Sequence, residues 1–128
     1  MNFEAGVRAW TSKAAGQFEK LRRAVIIELF SSVILDTPVD TGRLRGNWVI
    51  SNGAPDSGTV EILDPSGSVS IASVSALAAG LPAGKDTKTF LTNSLPYAYE
   101  IEYEGASRKA PSGMVRKNML RISANLKR

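Results

Sequence analysis

The chain contains no cysteine and no histidine in 128 residues. Those two absences together remove disulfides, thiol nucleophiles, serine-histidine-aspartate triads and the nitrogen- and sulfur-ligated zinc sites. Carboxylates, lysines and tyrosines remain for chemistry, but the commonest catalytic groups are gone. Long apolar runs are also missing, since nothing approaches the roughly 20 residues of a membrane span. The first residues carry Glu4 within an amphipathic pattern instead of a basic region ahead of a hydrophobic core, so no secretion signal is expected. Acidic residues stop at Glu104, whereas Arg108, Lys109, Arg116, Lys117, Arg121, Lys127 and Arg128 follow, which places the net charge of +4 unevenly. That basic end suits nucleic acid or an acidic protein surface; the plainer reading is a solvated helix face with cations near a helix C-terminus.

What is present describes an ordinary soluble domain. The apolar fraction is 43% and the charged fraction 22%. By length, residues 1–128 form one domain, able to bury roughly two thirds of its unfolded surface without a metal, cofactor or disulfide. No phosphate-binding glycine loop and no internal repeat occurs.

From Phe3 to about Asp36, Phe3, Val7, Trp10, Ala14, Phe18, Leu21, Val25 and Leu29 recur every three or four residues, which predicts an amphipathic helix. Beyond Ala24 the apolar positions widen, so the second half is expected to be buried nearly all round. Such a helix is on the order of 50 Å long, against a radius of gyration of about 14 Å for a domain of this size. Either it bends near Gly16, or its first half leaves the domain and buries Phe3, Val7 and Trp10 against another subunit. The second reading is preferred, because bulky aromatics on a polar helix make a poor solvent face.

The stretch from Thr37 to Trp48 must turn the chain from helix to sheet. Pro38 ends the helix, Asp40 or Thr41 can cap a new turn, and Gly42 admits a backbone angle that a β-carbon opposes. Leu44 and Trp48, four apart, are aimed at one apolar surface, with Arg43 and Arg45 left in solvent. Residues 48–51 and 59–63 read as strands paired in a hairpin, with a further strand at 87–93, for three or four antiparallel strands in all. Residues 68–81 read as a helix of modest propensity. Tyr97 to Gly105 fits both helical and strand periods, and its Glu100, Glu102 and Glu104 suggest a paired-carboxylate hydrolase only by proximity. A C-terminal amphipathic helix is expected to open at Pro111 and carry Met114, Val115, Met119, Ile122 and Leu126 on one face. The fold class expected is therefore α+β: a long N-terminal helix packed on a small antiparallel sheet, with a C-terminal amphipathic helix.

Three blocks read in order carry a resemblance: Thr37-Pro38-Val39-Asp40-Thr41-Gly42-Arg43-Leu44 through Trp48; Tyr97-Ala98 with Ile101-Glu102-Tyr103 and Gly105; and Ala110-Pro111-Ser112-Gly113-Met114-Val115-Arg116. Together they resemble the small neck and tail-completion proteins of long-tailed bacteriophages, the minor-tail-protein-Z-like group. The family usually runs Glu-Tyr-Gly, whereas this chain inserts Glu104 before Gly105, and residues 66–85 show no clear family pattern. The resemblance implies a non-enzymatic virion protein at the head-to-tail junction, assembled in the bacterial cytoplasm. It would act as a ring, commonly of six copies, between head-closure proteins and the tail terminator or tail tube, with genomic DNA passing through. In that setting Phe3, Val7 and Trp10 are candidate subunit contacts, and Arg116, Lys117 and Arg121 candidate contacts to DNA or an acidic neighbour. The alternative is a small basic nucleic-acid-binding module, which lacks a recognisable recognition helix or stacking platform.

Overall fold

A computed structural model describes the backbone of residues 3–81 and 88–126, and side chains from residue 17 onward. Phe3, Val7 and Trp10 lie on the first helix, and their side chains fall outside the described residues. The elements are α1 (Phe3–Asp36), α2 (Arg43–Gly46), β1 (Trp48–Asn52), α3 (Ser68–Ala79), β2 (Thr89–Asn93), α4 (Ala98–Tyr103) and α5 (Arg116–Leu126). The class is α+β, with a long N-terminal helix, a small antiparallel sheet and a C-terminal helix.

The described sheet has two strands, not three or four. β1 pairs with β2 in antiparallel register, Ile50 facing Leu91, and the Gly53 amide extends the ladder to the Lys88 carbonyl at 2.8 Å. The expected hairpin partner at 59–63 is not a strand, and the cause is one side chain. Asn47, fully buried, accepts from the Val60 amide at 2.9 Å and donates to the Val60 carbonyl at 3.0 Å, so it takes both ladder groups of the residue that should have paired. Gly46 lets the same segment press closer still: a β-carbon there would stand 2.1 Å from the Ile62 carbonyl oxygen.

Two apolar clusters share α1. Its Ile26 and Phe30 meet Ala78, Leu81 and Leu77 at the end of α3, with Ile50 from β1. One turn further on, Val33 packs with Leu44, Leu95, Ala98, Ala110 and Met114, and Trp48 and Leu91 close this cluster from the sheet. Leu44 and Trp48 thus do reach one apolar surface. α1 runs as a single helical element without a break at Gly16.

The region around Tyr97 resolves as a helix. Ala98 and Glu102 are buried one turn apart while Tyr99 and Tyr103 stay exposed, which is a helical division of inside from outside. α5 opens at Arg116 and not at Pro111. Gly113 has φ +81, and residues 111–115 form turns ahead of the helix.

Candidate functional site: the corner where the motifs meet

The corner after α1 is held by polar groups that each satisfy a backbone end. α1 stops at Asp36, ahead of Pro38; the Thr37 amide reaches the Ile34 carbonyl at 3.2 Å, and the carbonyls around it are taken by side chains. The Thr37 hydroxyl donates to the Val33 carbonyl at 2.7 Å and accepts from the Trp48 indole at 2.8 Å. Arg45, expected in solvent, instead donates to the carbonyls of Leu35 (2.8 Å), Thr37 (2.9 Å) and Pro65 (2.7 Å). A planar cation with five donors can serve three carbonyls at once, and cations suit a helix C-terminus. Gly42, at φ +90, accepts the Asp64 amide on its carbonyl at 2.9 Å, and a β-carbon there would lie 2.5 Å from Pro65 N. The Thr41 hydroxyl accepts from the Arg43 amide at 3.3 Å, as the capping pattern suggested. Asp40 is exposed.

Two carboxylates start two of the later helices, α3 and α5. Asp64 is buried and accepts from the amides of Val69 (3.3 Å) and Ser70 (2.8 Å) at the head of α3. Burial alone would raise its pKa, but these amides, with the Ser70 hydroxyl and the Gly67 amide, hold it below the ordinary 3.8. Glu102 does the same for α5 from twelve residues away. It accepts from the amides of Met114, Val115 (3.0 Å) and Arg116 (2.9 Å), and from the Arg116 side chain at 3.3 Å. Desolvation pushes its pKa up, and the three amides and the guanidinium outweigh it, leaving the group below 4.5.

Gly113 explains how Glu102 gets so close, because a β-carbon there would meet the Glu102 carboxylate oxygen at 2.5 Å. The second and third sequence blocks are therefore acceptor and donor of one helix cap. Arg116 also lies 4.6 Å over the Tyr103 ring. Ala110 and Met114 are fully buried beside Leu44 of the first block, Gly105 takes φ +62, and Pro111 is exposed.

The first two blocks also border one groove of about 530 Å³, between residues 38–44, Tyr97 with Ile101, and residues 106–109, which lead into the third block. Lys109 crosses its edge to donate to the Val39 carbonyl at 3.1 Å. The basic residues singled out on α5 are engaged within the chain: Arg116 with Glu102, Lys117 with Asp36 at 3.5 Å, and Arg121 with Glu28 at 3.1 Å and the Ser32 hydroxyl at 2.9 Å. The acids that line this groove, Asp40 and Glu100, are exposed, as is Glu104.

Sequence reasoning overlooked Arg45, Asn47, Asp64 and Asn118, all of which bind backbone or a partner across the fold; Asn118 joins Asp36 at 2.8 Å and the Met114 carbonyl at 2.7 Å. Asp64 was the most findable, since an acid shortly before a helix start is an ordinary capping signal. Among the described residues, no group of three or more acidic, histidine or cysteine side chains could hold a metal ion, and no helix is long and apolar enough to cross a membrane. Comparison with known protein families, with curated proteins and with solved structures finds no match.

Proposed function

We propose that this chain is a structural subunit of the head-to-tail junction of a long-tailed phage, a neck or tail-completion protein that assembles as a ring and lets DNA pass. The observation that carries the proposal is the meeting of the three resembling sequence blocks in one corner, where each supplies a part that the others need: Gly42 and Leu44, Glu102, and Gly113 with Met114. The resemblance supplies the setting. A part built for assembly also accounts for large apolar side chains left in the open on α1 and α5, Phe18 at 73% and Leu120 at 73% exposure.

The nucleic-acid-binding alternative draws on the net charge of +4. It loses support from α5, whose Arg116, Lys117 and Arg121 spend their charge on acids of the same chain. In the ring reading, passing DNA is touched weakly and without sequence preference.

The test is a phage or prophage deleted for this chain. Filled heads and complete tails should accumulate unjoined, and purified protein should restore joining in extract. Normal joining in the deletion overturns the proposal, and salt-dependent binding of short duplex DNA by the purified chain would favour the alternative.

A further inference from the structure

α1 carries two apolar faces, and the fold covers only one of them along its whole described length. Ile26, Val33 and Thr37 are buried against the domain. Phe18, Leu21 and Val25 lie about 120° further round the helix at 3.6 residues per turn, and Phe18 and Leu21 are 73% and 51% exposed. From Val25 onward α5 runs antiparallel along this second face, through Lys117 and Asn118 on Asp36 and Arg121 on Ser32 and Glu28. α5 ends at Leu126, which joins Phe18, Leu21, Val25 and Ile26 around an apolar groove of about 350 Å³. The second face is thus a seat for an antiparallel helix, filled at one end by α5.

In the sequence the same face continues backward. Phe3, Val7, Trp10, Ala14, Phe18, Leu21 and Val25 are spaced 4, 3, 4, 4, 3 and 4 residues apart, so Phe3, Ala14 and Val25 fall eleven apart. An eleven-residue period is 3.67 residues per turn, close enough to the helix itself for two nearly straight helices to stay in contact. The spacing also reads the same in both directions from Ala14. Laid antiparallel on a second copy, Ala14 meets Ala14, Trp10 meets Phe18, Val7 meets Leu21, and Phe3 meets Val25 beside the groove. A small residue at the centre permits close approach, and large residues flank it on both sides.

We infer that a second copy of this chain occupies this face, as an antiparallel α1 pair with its two-fold axis at Ala14. Three aromatics per chain, at about 150–250 Å² each, bring the buried area close to the roughly 800 Å² per partner of a stable interface. Such a contact is self-complementary and closes at two copies. It is therefore a state of the free subunit that gives way before any ring forms, and it stands whether or not the ring reading does.

The absence of cysteine makes the test clean. Purified Val7→Cys/Leu21→Cys and, separately, Ala14→Cys should each oxidise to a single covalent dimer, because both put α-carbons within disulfide reach. Lys20→Cys, off the face, should not. The unmodified chain should sediment as a dimer whose unfolding temperature rises with protein concentration, and Leu21→Glu should convert it to a monomer that still unfolds cooperatively, without that concentration dependence. A ladder of larger crosslinked species, crosslinking no better than Lys20→Cys, or a monomeric mass for the unmodified chain overturns the inference.

Discussion

The corner at residues 37–48 and the outer flank of α1 and α5 use their side chains in opposite ways. In the corner, Thr37, Arg45 and Asn47 are each bonded to two or more groups of the fold, and two glycines are pressed against backbone. On the flank, Phe18, Leu35, Leu120 and Leu126 are all more than half exposed. The first region is finished by folding. The second offers surface that folding of one chain leaves uncovered, and it is there that a partner gains most. Substitutions should divide along the same line, corner changes costing stability and flank changes costing association.

The largest effect is expected at the glycines. Gly46→Ala places a carbon 2.1 Å from the Ile62 carbonyl oxygen, and Gly42→Ala combines φ +90 with a 2.5 Å approach to Pro65 N. Each should cost more than about 3 kcal/mol in denaturant unfolding, since neither contact is with a movable side-chain tip. Gly53 supplies the control, with φ +86 and nothing within 4 Å of a built β-carbon. Gly53→Ala should therefore cost only the backbone strain, about 1–2 kcal/mol. Equal losses at all three would mean that close approach is not what holds the corner.

Much of this architecture was legible. The long helix, the stop at Pro38, the pairing of Leu44 with Trp48 and the later helix at 68–79 follow from apolar spacing and breaker residues, which act locally. The missing strand at 59–63 was not legible, because its alternation is real and only the buried Asn47 amide diverts it. Arg45 looked like a surface cation for a related reason: the carbonyls it serves belong to residues ten behind and twenty ahead. Glu102 was noticed as an acid among acids, but its role depends on amides twelve to fourteen residues later. Local periodicity carries no record of such partners.

Next in size is the Glu102 cap, which extends the comparison to the second and third blocks. Glu102→Ala leaves three amides at the head of α5 without their acceptor and should destabilise by about 2–3 kcal/mol. Its pKa is lowered by folding, so its contribution is present above 4.5 and is lost as pH falls through the lower folded value. Asp64 acts in the same direction below 3.8. Stability of the unsubstituted chain should therefore decline in acid, and a Glu102→Gln/Asp64→Asn variant should show a flatter acid limb in urea titrations from pH 5 to pH 2. An unchanged slope would remove both carboxylates from the account of how α3 and α5 begin.

Arg121 tests the boundary between the two regions, because it is bonded like a corner residue yet sits on the flank. Its partners Glu28 and Ser32 are on α1, and with 44% and 60% of the Arg121 and Glu28 side chains exposed, water screens the pair. Arg121→Ala should therefore cost less than about 1 kcal/mol, an amount that shrinks further in high salt. If the proposed junction role holds, tail joining by the same variant separates two roles that stability alone confuses. A small stability change with normal joining assigns Arg121 to holding α5 along α1. A small stability change with joining lost moves the cation onto a surface used by a neighbour, since a defect of that size in folding could not by itself deplete the subunit.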